Sequence, residues 1–408
     1  MSTEHTRGHE RAVPMQRAST GPLSGLRIVD LTRALAGPYC TMILADLGAD
    51  VVKVEPPEGD LTRFTGPFAR DDEEKAFGGY FGSINRNKRS IVLDLKQPDD
   101  RDCLLALIDG ADVLVENFRV GVMDGLGLSY ETLHARNPRL VYGAIRGFGD
   151  PRTGPSPYGD WPAFDVVAQA MGGAVSATGT AAGEVVRVGP SIGDLYPATI
   201  AAVGILAAVM HARGTGEGQF VDVAMVDAVV ALNESLVYRY SYTGMVTAPT
   251  GNSHPQLTPF DIYPTADGAC AIAAPIPRYW ERLCRLMQRE DLLVDERTLT
   301  NRERVANADF VRGEMTAWTT KHTTAELVAL LGGQVPVGPV NDAADLFDDP
   351  HVEARRMLVA VEHPGAQRPV VFPDTPMRFT ATPAGIYRRA PRLGEHTGEI
   401  LSELEETR

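Results

Sequence analysis

The chain has 408 residues, 44% of them hydrophobic and 23% charged, which is enough apolar material for two packed cores rather than one. A formal net charge of -14 excludes a surface built for nucleic acid or an anionic membrane, since both demand clustered Lys and Arg. Any anionic ligand has to be met by local positive groups.

The four cysteines, Cys40, Cys103, Cys270 and Cys284, are widely spaced and form no CxxC pair, so they read as reduced core thiols of a cytoplasmic protein. The nine histidines form no HxH, HExxH or Cys/His cluster, and no metal site is expected.

Residues 1–20 carry His5, Arg7, His9 and Arg11 without an apolar segment, which predicts a disordered tail and not a secretory signal. From Gly25 onward, β-branched runs alternate with helical segments. Strands are expected at 27–31, 51–54, 90–95, 112–116 and 140–145, and helices at 38–47, 98–108 and 129–136. Strands separated by helices predict an α/β fold, with a parallel sheet covered on both faces and ligands beyond the carboxyl ends of its strands. Within this region, the run from Asn85 to Ser90 holds three cations in four residues. It reads either as a solvated charge run or as a loop in which Lys88 and Arg89 hold a phosphate-bearing ligand.

The segment Val188-Gly189-Pro190-Ser191-Ile192-Gly193-Asp194 leads into an apolar stretch at 195–212. Asp194 has two readings: the N-cap of the coming helix, or a carboxylate held ionised at the positive helix end and so nucleophilic. Pro197, expected near the third helical position, has no N–H for the cap, which would leave a carboxylate oxygen for chemistry. Backbone N–H groups around Gly193 are the expected oxyanion donors. Asp165 is expected to orient substrate or to cap its own helix. The apolar run at 197–211 is shorter than a bilayer requires and predicts a buried helix packed on the sheet.

Gly214-Thr215-Gly216-Glu217-Gly218 follows a helix and precedes a strand at 219–224, the reverse of a dinucleotide-binding loop. No GxxxxGK[ST] or GxSxG motif occurs, which disfavours kinase, GTPase and α/β-hydrolase readings. Beyond the helix starting at Met225, residues 244–259 are rich in Gly, Pro, Thr and Asn. A hairpin at 260–263 and 269–273 and helices at 278–289, 302–319 and 324–331 then predict a smaller α+β domain. The Pro-marked stretch 335–340 is expected to lead the chain back. The division is 1–20 tail, 21–230 first part of the large domain, 231–345 small domain and 346–408 return to the large domain.

Nine segments, taken in order, carry a resemblance. They are Gly25 to Leu31, Ala36-Gly37-Pro38, Leu47 to Glu55, Asn87 to Ser90, Val115-Glu116-Asn117-Phe118, Gln169 to Gly173, Gly193-Asp194, Ala224 to Ala228, and Leu393 to Thr397. Together the chain resembles the family III CoA-transferases of the CaiB/BaiF type. The resemblance implies that Asp194 is the catalytic nucleophile. It also implies that Leu35, Ala36, Leu93, Asp94, Leu95, Lys96, Asn117, Phe118 and Arg119 lie where CoA is held. It further implies a Rossmann-like large domain completed by the C-terminal segment, a smaller domain, and two ring-shaped subunits interlocked as a homodimer. CoA is then a substrate rather than a permanent cofactor, and the partners are an acyl-CoA and a small carboxylic acid.

Leu35 and Gly125 stand where formyl-CoA transferases carry a glutamine and an arginine, and Gly251 is the only glycine at 250–259, where those enzymes have a glycine run. Formyl-CoA:oxalate specificity is therefore not expected. The α-methylacyl-CoA racemases of the same superfamily use a histidine where Phe164 stands, and phenylalanine carries no proton. The alternative from another class, an inactive CoA-binding protein, is disfavoured by Gly193-Asp194. Arg33, Arg63, Arg146, Arg187 and Arg239 are the candidates to pair with the distal carboxylate of a C4–C5 diacid.

Overall fold

A computed structural model describes residues 20–407 apart from Ala76 and Ala181. The expected tail therefore lies outside the described residues except for Thr20. The first compact unit comprises the described chain up to Ala174, Val188–Thr243 and the chain from His351 onward. Its elements are β1 (Arg27–Asp30), α1 (Ala36–Asp46), β2 (Asp50–Glu55), α2 (Gly79–Ile84), β3 (Arg89–Val92), α3 (Pro98–Asp109), β4 (Val113–Glu116), α4 (Val122–Gly125) and α5 (Tyr130–Arg136). They continue with β5 (Val141–Arg146), α6 (Asp165–Met171), α8 (Ile192–Thr215), β6 (Phe220–Ala224), α9 (Met225–Leu232) and α10 (Glu234–Thr243), while α7 (Ala174–Ala177) begins at the last residue before the chain passes to the second unit.

The six strands form one sheet in the order β3-β2-β1-β4-β5-β6, with every neighbouring pair parallel. The strand order reverses between β1 and β4, which opens a crevice at their carboxyl ends. Every residue of β4 and β5 is buried, as expected for apolar strands covered on both faces. Helix α8 covers one face through Ala198, Ala201, Ala202, Ile205, Ala208, Val209 and Ala212. The approach is close: a Cβ on Gly143 of β5 would stand 2.8 Å from Ile205 Cδ1. With 24 residues, α8 is longer than the sequence pattern predicts, and by length and composition it would cross a bilayer, yet its small-residue face is spent on the core.

The second unit comprises Val175–Arg187 and Gly244–Pro350. It contains β7 (Phe260–Pro264), β8 (Ala269–Ala273), α11 (Pro277–Leu286), α12 (Asn301–Ala306), α13 (Ala308–Thr319), α14 (Thr324–Leu331), β9 (Val337–Pro339) and α15 (Ala343–Asp348). The three strands form an antiparallel sheet ordered β7-β8-β9. β9 keeps 335–340 in this unit, where the sequence reading has it leading the chain back. The expected helix at 302–319 is broken at Asn307, whose backbone leaves the helical region. The unit boundary falls after α10 rather than at 230, and the stretch 175–187 belongs with the second unit.

After α16 (Pro350–Ala354), the hairpin of β10 (Leu358–Val361) and β11 (Val370–Pro373) and the terminal helix α17 (Thr397–Thr407) belong to the first unit. Ile400 of α17 is fully buried, and Glu399 and Glu403 pair with Arg89 at the start of β3.

Charged side chains fix the strand ends. Lys88 is fully buried and donates to Asp30 Oδ2, the Pro38 carbonyl and Asn85 Oδ1, each at 2.9 Å. Burial alone would raise the Asp30 carboxyl, but Lys88, Lys53 and the Thr32 hydroxyl hold it below the ordinary range. Burial pulls the Lys88 ammonium down to about 8. We expect Lys88→Met to destabilise the protein by about 3–5 kcal/mol in urea unfolding, because Asp30 is left buried without its cation.

Candidate active site

Two adjoining cavities open at the carboxyl ends of β1 and β4. One, of about 330 Å³, is lined by residues 33–36, 117–120, 145–147 and 161–164 with Gly159, Asp194 and Met225. The other, of about 480 Å³, is lined by residues 54–58 and 93–96 with Leu31, Arg33, Phe118, Gly121, Val122, Gly125 and Leu126. Arg33 and Phe118 belong to both walls, and the Arg33 guanidinium carbon lies 5.4 Å from the Phe118 ring centre. Asn117 spans the switch point, accepting from Arg33 N at 2.8 Å and donating to Arg33 O at 2.8 Å. A further cavity of about 440 Å³, at the other end of the sheet beside α3 and α17, holds neither Asp165 nor Asp194.

Of the residues the sequence reading singles out, Leu35, Ala36, Asn117, Phe118, Arg119 and Asp194 line the smaller cavity, and Leu93, Asp94, Leu95, Lys96 and Phe118 line the larger one. Residues 93–96 are not the end of a strand. They form a turn in which Gln97 N donates to Asp94 O and Lys96 N to Asp94 Oδ1.

Asp194 does not cap α8 as one sequence reading has it. Ser191 holds the N-cap position, and Asp194 is the third helical residue. Pro197 is correspondingly deeper in the helix, where its missing N–H leaves the Gly193 carbonyl without its helical donor. Nor is the Asp194 carboxyl held ionised by the helix end. Burial first, and then the Asp165 charge, raise it to about 7. Among the described residues no hydrogen-bond donor reaches it.

The expected backbone oxyanion donors are already engaged. Gly193 N donates to Asp165 Oδ1 at 2.8 Å, Ile192 N to Pro190 O at 2.7 Å, and Asp194 N and Leu195 N to Ser191 O at 3.0 and 2.9 Å. Glycine at 193 is a packing requirement, because a Cβ there would stand 2.5 Å from the Asp165 carbonyl oxygen. Asp165 opens α6 behind Phe164 and does not cap it. Both its oxygens accept from Gln169 Nε2 at 3.0 Å.

Lys88 and Arg89 do not form a phosphate loop. All three Lys88 N–H groups are used inside the protein, and Arg89 is bound to Asp50, Glu399 and Glu403. Arg63 is likewise buried against Glu55, and Arg146 against Glu116 and Asp150. Arg187 and Arg239 line neither cavity. Arg33 and Arg119 remain as exposed cavity cations with no ion pair among the described residues. Sequence reasoning missed Gln169, Trp161 and Tyr80, whose phenol is raised by burial and then by the Asp194 charge. Phe164, 70% exposed, and Trp161, 57% exposed, give the cavity mouth an aromatic rim.

The raised carboxyl carries a stability cost. Between the unfolded value of 3.8 and about 7 the folded chain binds more protons than the unfolded one, so stability falls as pH rises through that window. Asp194→Asn should therefore melt above wild type at pH 8, by roughly 2–4 °C per kcal/mol relieved, and match it at pH 4 in thermal scans.

The model of CoA-transferase family III matches residues 23–397. The chain is 49% identical over 383 residues to a succinyl-CoA:mesaconate CoA-transferase of Haloarcula hispanica, covering 94% of this chain and 96% of that one. It is 38% identical to a succinate–glutarate CoA-transferase of Agrobacterium fabrum, again covering 94% and 96%. A crystal structure of a CaiB/BaiF family protein from Brucella suis superposes with a TM-score of 0.83 at 36% identity, over 94% of this chain and 99% of that one. With its six-stranded parallel sheet and a carboxylate at the crevice where the strand order reverses, the chain belongs to CoA-transferase family III.

Proposed function

We propose that this enzyme transfers CoA between dicarboxylic acids of the succinate, mesaconate and glutarate class, with Asp194 as the covalent relay. The observation that carries the reading is the half-buried Asp194 carboxyl, raised to about 7 and without a hydrogen-bond donor, in a cavity that shares Arg33 and Phe118 with a second cavity. A carboxylate stripped of donors is a stronger nucleophile than a solvated one. The larger cavity takes the nucleotide end of CoA, with Lys96 and Arg33 as its cations. The smaller one takes the thioester and the acid.

Asp194 Oδ attacks the thioester carbonyl of the donor, expelling CoA thiolate and leaving an acyl-aspartyl anhydride. The thiolate attacks the aspartyl carbonyl, releasing the donor acid and forming an aspartyl-CoA thioester. The acceptor carboxylate attacks that thioester and again expels thiolate, which takes the new acyl group from the anhydride and regenerates Asp194. One thioester is exchanged for another, so no ATP is consumed. With the first turn of α8 engaged, the oxyanions fall to the head of α1. There Leu35 and Ala36 line the Asp194 cavity, and their N–H groups have no acceptor among the described residues. Arg33 and Arg119 supply the charge for the distal carboxylate.

The protein is further proposed to act in the cytoplasm as an interlocked homodimer. Supporting this, α10 buries none of its residues and exposes Val237, Tyr238, Tyr240 and Tyr242, while α8 exposes Val203 and Met210. All four cysteines are free thiols.

With succinyl-CoA as donor, mesaconate or glutarate should accept CoA far faster than acetate or butyrate, read by chromatography of the CoA esters. Equal rates for monoacids would overturn the diacid reading. The rate under subsaturating substrate should fall as pH drops through about 7, because only ionised Asp194 attacks. A limb left near the ordinary carboxylate range would contradict the burial argument. Asp194→Ala should lose at least roughly 10⁴ in kcat while still binding CoA.

A further inference from the structure

Gln169 lies in α6, four residues after Asp165, and its side chain is fully buried. Both ends of its amide are used. Nε2 donates to both Asp165 oxygens at 3.0 Å and reaches the Val188 carbonyl at 3.4 Å, while Oε1 accepts from Val188 N at 2.9 Å. Asp165 Oδ1 in turn accepts from Gly193 N at 2.8 Å, one residue before Asp194. A single buried amide thus joins three stretches of chain: the loop at Val188 that leads into α8, the start of α6, and the turn that carries Asp194.

We propose that Gln169 is a positioning residue for CoA transfer: it sets the direction of the Asp165 carboxylate, and through Asp165 it fixes the place and charge environment of Asp194. The inference rests on Asp194 being the nucleophile. Two facts separate this role from ordinary packing. A buried amide that only filled space would cost less as an apolar side chain, since each of its polar ends needs a partner. Moreover, the carboxylate it holds accepts from Gly193 N beside the reacting residue, and its charge acts on Asp194. The groups around Asp194 are Asp165 from α6, the Tyr80 phenol from α2, and the cavity cations Arg33, Arg119 and the already paired Arg146. Of these, Asp165 is the anion whose orientation Gln169 controls.

The test compares Gln169→Leu and Gln169→Glu in the full-length enzyme, with Asp194→Ala alongside, using succinyl-CoA and glutarate. In Gln169→Leu, Asp165 loses its amide donor and turns toward water, so its repulsion of Asp194 weakens. The acid limb of the pH–rate profile should then move below about 7, with kcat down on the order of tenfold to a hundredfold and KM for succinyl-CoA little changed. Gln169→Glu keeps an acceptor for Val188 N but sets a second carboxylate against Asp165, so the limb should move the other way, to higher pH. If both variants bind CoA and keep the wild-type limb, Gln169 is only a packing residue and the proposal is overturned. If the Leu variant does not fold, the Glu variant decides: a limb moved up supports the proposal, and an unmoved or lowered one rejects it. Should Asp194→Ala stay active, the nucleophile assignment itself falls. An inactive Asp194→Ala beside unmoved Gln169 limbs removes only the present inference.

Discussion

The approach of Gly193 to the first residue of α6 is the constraint on which the site depends. The backbone of α8 comes so near α6 that a single Cβ would collide with the Asp165 carbonyl, and the same closeness lets Asp165 take the Gly193 N–H. The carboxyl groups of Asp165 on α6 and Asp194 on α8 are thereby brought near one another, and Asp194 lines the smaller cavity. Their proximity and their burial act in the same direction, raising the Asp194 carboxyl to about 7. In the proposed mechanism that raised carboxyl is the more basic and so the more nucleophilic once ionised.

The electrostatics of the rest of the large unit follow a different rule. In a chain with net charge -14, most cations near the sheet ends are consumed internally: Lys88 by Asp30, Lys53 by Asp60, Arg63 by Glu55 and Arg86 by Asp46. These buried pairs fix the turns that follow the strands, and their geometry matters more than their net stability. The cations left to meet a ligand stand around the crevice where strand order reverses, Arg33 after β1 and Arg119 after β4, with Lys96 after β3 in the larger cavity. Asn117 locks the Arg33 backbone there from across the switch point. Binding charge is concentrated where an open parallel sheet naturally holds a ligand.

Much of this was legible in the sequence. The alternation of β-branched runs with helices located the strands of the parallel sheet to within a few residues, because both-face burial leaves apolar runs at Val113–Val115 and Val141–Ile145. Asp194 stood out as the carboxylate before a long apolar helix, and Asn117 and Phe118 stood out through the family pattern. What remained hidden depends on contacts distant in sequence. The basic run at 86–89 looks the same on paper whether its partners are phosphates or Asp46, Asp30 and Asp50. The raised Asp194 carboxyl could not be read from a position that, by helix dipole alone, predicts the opposite direction. Gln169 stood in a segment that carried the family resemblance and four positions from Asp165 in the same helix, but neither signal showed that its amide reaches the Val188 backbone.

The most direct test of the account is to quench the enzyme during turnover with succinyl-CoA and map the modified peptide by mass spectrometry. The relay mechanism predicts a CoA adduct on the peptide that contains Asp194, converted to a hydroxamate by hydroxylamine. Turnover with no adduct, or with the adduct on any other peptide, would contradict it.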